Sequence, residues 1–138
     1  MRDVAYIALG SNLGQREVFL AQARRAISSL AKTRVLGQTD AEETAPIGPV
    51  SQGPFLNQMI AIETELSPQD LLDELRRIEV DAGRVRNERW GPRTLDLDIV
   101  LFENQSVRQP GLTVPHPELS NRDFWLRELA TLRSARIG

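Results

Sequence analysis

A single domain that mixes β-strands with α-helices is the fold class this sequence predicts, and three observations predict it. Runs with β alternation or continuous apolarity, at Val4 to Leu9, Phe55 to Glu65 and Thr94 to Phe102, are interleaved with two segments whose apolar residues return at helical spacing, Phe19 to Leu30 and Ser67 to Ala82. The 138 residues are 41% hydrophobic and 26% charged, enough apolar material for one core and too short a chain for two domains, so residues 1–138 are expected to fold as one unit. No stretch approaches the ~20 apolar residues of a membrane span, and the N-terminus lacks a basic region followed by a long apolar run, so a soluble, cytoplasmic protein is expected.

Taken in order, Val4 to Leu9 is a buried strand ending at Gly10, and GSNLG (Gly10 to Gly14) turns the chain into a helix with the stripe Phe19, Leu20, Ala23, Ala26, Ile27 and Leu30. The G-x-G-x-x-G spacing of a dinucleotide loop is absent, as is the G-x-x-x-x-G-K-[ST] of a P-loop. Thr33 to Thr44 contains a strand, poorly patterned in its acidic second half at Asp40, Glu42 and Glu43. Ala45 to Pro54 carries three prolines and two glycines and predicts a loop; its length between two strands suits a substrate flap. In the strand that follows, Leu56, Met59 and Ile62 are candidates for burial.

Ser67 and Pro68 open the clearest helix, because serine caps well and proline suits the first helical position; Asp70 favours the first turn and Gly83 ends it. Leu71, Leu72, Leu75, Ile78 and Ala82 form one arc, and Glu79 falls inside it, where a carboxylate needs a partner. After Phe102 come a turn at Glu103 to Gln105 and one short strand within Val107 to Val114, interrupted by Pro110-Gly111. A final helix runs from Phe124 to Leu132, with Leu126, Leu129, Ala130 and Leu132 apolar, before a poorly patterned basic tail from Arg133 to Gly138.

The net charge of -2 gives no bulk attraction for nucleic acid, the absence of cysteine excludes disulfides and thiolate metal sites, and one histidine excludes a multi-histidine zinc site. The informative chemistry lies in RVRNERWGPRTLDLDIVLF, Arg84 to Phe102. Strand alternation sets Asp96, Asp98, Val100 and Phe102 on one face and Leu95, Leu97, Ile99 and Leu101 on the other. Two carboxylates about 6.5 to 7 Å apart repel unless a cation lies between them, and oxygen-only ligation suits Mg²⁺, which takes its remaining ligands from water and substrate phosphates. Arg84, Arg86, Arg89 and Arg93 precede them, and forked guanidiniums match phosphate geometry, so the segment has the composition of a phosphoryl-transfer site. The plainer reading is an edge strand guarded by charge. His116, set between two prolines with Arg122 close behind, is a further candidate phosphate contact.

ALGSNLG, the turn at Thr44 to Gly48, FLN at Phe55 to Asn57, ELSPQDLL, GRVR, RWGPRTLDLDI and VPHPELSNRDF together resemble the 6-hydroxymethyl-7,8-dihydropterin pyrophosphokinases of the folate pathway, in the right order from about Val4 to Leu132. The resemblance implies an α+β fold of ferredoxin-like kind, an antiparallel sheet flanked by helices, and transfer of the terminal pyrophosphoryl group of ATP to the pterin hydroxymethyl group. It implies that Asp96 and Asp98 hold two Mg²⁺ ions and that Arg84 and Arg93 act in catalysis. Glu79, Arg86, Arg89, Trp90, Thr113, His116 and Arg122 would line the ATP side, and Thr44, Pro46, Ile47, Phe55, Asn57 and Phe124 the pterin pocket, with Phe55 and Phe124 on opposite faces of the ring. The implied partners are the two small molecules alone, with no nucleic acid or membrane, and the implied state is a monomer. Two departures stand out: Asn87-Glu88 where some members carry a lysine, and Gly111 where some carry an arginine. Two other readings use the same residues: a different Mg²⁺-dependent phosphoryl or nucleotidyl transferase, against which Phe55, Asn57 and Phe124 argue, and a binding module without turnover, against which the retained acidic pair argues.

Overall fold

The computed structural model describes residues 2–45, 53–83 and 94–137. Its elements are β1 (Asp3–Ser11), α1 (Arg16–Ser28), β2 (Thr33–Gln38), β3 (Glu42–Thr44), β4 (Phe55–Thr64), α2 (Pro68–Asp81), β5 (Asp96–Phe102), β6 (Val107–Gln109), β7 (Leu112–Val114), a 3₁₀ turn (Leu119–Asn121) and α3 (Asp123–Ile137). The main sheet runs β2-β4-β1-β5 with every neighbouring pair antiparallel, and β3 pairs with the start of β4. This order of strand, helix, strand, strand, helix, strand is the ferredoxin-like α+β arrangement that the resemblance implied.

Period-two alternation sends the strand residues to two separate cores. On one face Ile7, Leu9, Ile60, Ile62, Leu97 and Ile99 pack beneath Leu20, Ala23 and Ile27 of α1 and Leu71, Leu75 and Ile78 of α2. On the other, Tyr6, Ala8, Met59, Ala61 and Val100 pack against Trp125, Leu129 and Leu132 of α3. The cap expected at Ser67 forms, its hydroxyl accepting the Asp70 N–H at 3.1 Å, a contact that contributes about 1 kcal/mol.

Four local expectations change. In β5 strict alternation fails, because Tyr6 pairs with Leu101 while Ile7 pairs with Ile99, leaving Val100 as an extra residue. Beyond the bulge the phase inverts: Phe102 turns to the α1–α2 face and Leu101 to the α3 face, the reverse of the sequence expectation. Val107 to Val114 is two strands, not one, with Gly111 in the connection at φ 81°, a conformation that glycine adopts without strain. The final helix continues through the basic tail to Ile137, and its inward residues are Trp125, Leu129 and Leu132, while Leu126 and Ala130 face outward. The acidic half of Thr33 to Thr44 forms the separate short strand β3.

Candidate active site

Among the described residues, the end of the α3 face that no helix covers is built from three neighbouring strands. Gly10 of β1 lies opposite Asn57 of β4 on one side and Asp96 of β5 on the other; one step along, Ala8 lies between Met59 and Asp98. With strands about 4.8 Å apart, Asn57 and Asp96 project from the same face roughly 10 Å from one another, with only a glycine between them. A Cβ at Gly10 would stand 3.2 Å from Asn57 Oδ1 and 3.4 Å from the Phe55 ring, so the missing side chain keeps this floor open. Asn57, 7% exposed, donates its amide to the Thr44 hydroxyl across the β3–β4 pair. Phe55 is half-buried at the same end.

On the β5 side the bulge sets the geometry. The Val100 carbonyl accepts the His116 N–H at 2.8 Å, which ties the segment after β7 to the strand that carries Asp98. His116 Nδ1 accepts the Glu118 N–H at 3.0 Å, so in the neutral ring the proton sits on Nε2, 3.7 Å from Asp98 Oδ1. Trp125 is 2% exposed and supports two side chains of this corner: the Arg122 guanidinium lies 4.3 Å over its ring, and His116 meets it edge-on at 4.9 Å. Phe124, half-buried, meets Trp125 edge-on at 6.2 Å.

Burial pushes the Asp98 carboxyl up, but His116, Arg122 and Arg76 more than offset it and hold the group below the usual carboxylate range. Asp98 is therefore a carboxylate at neutral pH, 22% exposed, beside half-buried Asp96 on the same face. Among the described residues no three His, Asp or Glu side chains converge as a closed metal cage. An open pair of carboxylates fits Mg²⁺, which keeps waters and takes oxygens from phosphates.

The sequence profile of the 7,8-dihydro-6-hydroxymethylpterin-pyrophosphokinase family matches residues 6–134. The chain belongs to this family. A 2-amino-4-hydroxy-6-hydroxymethyldihydropteridine pyrophosphokinase of Haemophilus influenzae is 47% identical over 130 residues, covering 94% of this chain and 81% of that protein. Its Bacillus subtilis counterpart is 44% identical over 132 residues, covering 96% and 79%. In fold, the chain is similar to the crystal structure of Plasmodium falciparum HPPK-DHPS with pteroate, with a TM-score of 0.64 at 12% identity, covering 94% of this chain and 38% of that one.

Of the residues that resemblance to the pyrophosphokinases singled out, Asp96, Asp98, His116 and Arg122 come together at β5, and Thr44, Phe55 and Asn57 at the β3–β4 end. Thr113 is half-buried in the β6–β7 hairpin, opposite Arg108. Glu79 is 1% exposed on α2 and turns its carboxylate to the β5 backbone and to Arg76. Pro46, Ile47, Arg84, Arg86, Arg89, Trp90 and Arg93 lie outside the described residues. Sequence reasoning missed Trp125, Arg76 and Gly10 as parts of the site. Trp125 had a signal, a large aromatic one residue after Phe124 and three after Arg122; Arg76 had none, since it reads as one of many exposed helix charges.

Proposed function

We propose that this protein transfers the terminal pyrophosphoryl group of ATP to 6-hydroxymethyl-7,8-dihydropterin, giving AMP and the pterin diphosphate, a step of folate biosynthesis. The observation that carries the reading is the single row Asn57, Gly10, Asp96, which puts a buried amide roughly 10 Å from an acidic seat on one sheet face. The pterin hydroxyl oxygen attacks the β-phosphorus of ATP, giving up its proton to water, and the bond from that phosphorus to the oxygen bridging the α-phosphate breaks, releasing AMP. Asp96 and Asp98 are the residues that would hold two Mg²⁺ ions, whose chemistry when bound is to neutralise the phosphates and polarise the reacting oxygens.

The chain's own groups do the rest. Asn57 and Thr44 hydrogen-bond the polar edge of the pterin, and Phe55 and Phe124 cover its faces, so the acceptor hydroxyl is held in one place with water kept away. His116 and Arg122, fixed by Trp125, bind phosphate oxygens next to Asp98. Arg86, Arg89, Trp90 and Thr113 complete the ATP side, Pro46 and Ile47 the pterin side, and Arg84 and Arg93 stabilise the charge that develops on the bridging oxygen; Glu79, buried against β5, does not face the nucleotide. No helix among the described residues is long and apolar enough to cross a membrane; the reading is of a cytoplasmic monomer acting on two small molecules. Release of AMP from ATP, measured with and without 6-hydroxymethyl-7,8-dihydropterin and Mg²⁺, tests the reading. Pterin-dependent AMP formation is expected; pterin binding without AMP formation would reduce the protein to a binding module, and AMP formation indifferent to the pterin would reassign the acceptor.

A further inference from the structure

An edge strand leaves every second residue's N–H and C=O without a ladder partner. β5 is such an edge among the described strands, and at Leu97, the residue between the two aspartates, α2 supplies the partners. The Leu97 N–H donates to Glu79 Oε2 at 2.7 Å, and the Leu97 carbonyl accepts from Arg76 Nη1 at 3.0 Å. The same guanidinium nitrogen donates to Glu79 Oε1 at 2.9 Å, which closes a ring of bonds between helix and strand. Arg76 and Glu79 are three residues apart and so share one helix face. Leu97 itself is fully buried, and so is the Glu79 carboxylate.

We propose that Arg76 and Glu79 are positioning residues for the acidic seat, bonding the edge of β5 where no described strand lies beside it and fixing the backbone from which Asp96 and Asp98 project. The geometry is specific. The Leu97 N–H belongs to the peptide unit shared with Asp96, and the Leu97 carbonyl to the unit shared with Asp98; because each unit is planar, two bonds orient both planes and hence both aspartate Cα–Cβ directions. A buried glutamate is a costly way to pair one backbone N–H, and the Arg76 guanidinium at 2.9 Å offsets part of that cost. The inference rests on Asp96 and Asp98 being the metal-holding pair.

The test compares the parent with R76M, R76K, E79Q and D98N. In metal-free, substrate-free protein, amide hydrogen exchange at Leu97 is read by NMR and global stability by urea unfolding; steady-state kinetics then separate turnover from the pterin KM. R76M is expected to keep its urea midpoint, to exchange the Leu97 amide faster, and to lose ~10- to 100-fold in turnover at an unchanged pterin KM, the size of effect typical of groups that orient metal ligands. R76K, which retains a donor for the Leu97 carbonyl, is expected to recover most of that loss, and E79Q, which retains one acceptor for the Leu97 N–H, to lie between; these two carry the test should R76M not fold. Parental turnover in a variant whose Leu97 amide exchanges faster would overturn the inference and leave the metal assignment standing. Lost ATP-analogue affinity with unchanged Leu97 exchange would overturn it in favour of direct nucleotide contact. Parental turnover in D98N would overturn the metal assignment itself.

Discussion

Beneath α1 and α2 the sheet presents Ile7, Leu9, Ile60, Ile62, Leu97 and Ile99, none more than 4% exposed, whereas the opposite face of the same strands carries Asn57, Gly10, Asp96 and Asp98 beside a shorter apolar patch under α3. Period two makes this division possible: one strand can serve stability with its odd residues and chemistry with its even ones. The cost of the second task shows in the polar groups. On the α2 side Glu79 is buried with both oxygens bonded. On the α3 side Glu128 is also buried, and among the described residues neither carboxylate oxygen makes a hydrogen bond of good geometry; burial and the charge of Glu42 push its carboxyl up to about 7 against the opposing pull of Arg127 and Thr39. The closed face pairs its buried carboxylate with an arginine, and the working face holds a buried carboxyl whose ionisation burial opposes.

Four substitutions would break or sharpen that contrast. Asp98→Asn on the working face should lower turnover by at least ~100-fold, the scale for losing a preorganised electrostatic group, while the urea midpoint and the affinity for a non-reactive pterin analogue hold. Equal losses in turnover and in pterin binding would erase the division between faces. Leu75→Ala, fully buried on the closed face, should do the opposite, lowering unfolding free energy by ~2–5 kcal/mol with little change in the turnover of the folded fraction. Gly10→Ala would place a methyl 3.2 Å from Asn57 Oδ1 and should weaken the pterin analogue by about tenfold, or about 1.4 kcal/mol, with the ATP analogue unaffected in calorimetry.

A pH-dependent effect on stability, with none on activity, is expected at Glu128. A carboxyl that titrates at about 7 in the fold and at 4.5 in the unfolded chain binds more protons when folded, so its contribution is complete below pH 4.5, declines as pH rises, and is gone above about 7. Glu128→Gln should therefore flatten the decline and exceed the parent's stability above pH 7 by on the order of 1–2 kcal/mol, discounted for partial solvent screening. Urea unfolding across pH 4 to 8 reads this directly. Parallel curves for parent and variant would show that Glu128 is ionised in the fold.

The sequence by itself determined the elements whose signals are local. The serine cap and proline at Ser67-Pro68, the leucine arc of α2, the alternation from Leu95 to Ile99 and the adjacency of Asp96 and Asp98 all follow from spacing within one strand or one helical turn. Tertiary structure decided whatever depends on a neighbour that is distant in the chain. The bulge at Val100 exists because β1 pairs with β5 out of step, and it both inverts the facing of Phe102 and frees the carbonyl that holds His116. Trp125, not Leu126, faces inward because α3 docks on Met59 and Ala61, and the helix extends through a tail without apolar periodicity because its first turns are anchored there. Likewise Arg76 becomes a partner of Leu97 only when α2 lies along the edge of β5, twenty-one residues on. Spacing fixes which residues share a face; only packing fixes what that face meets.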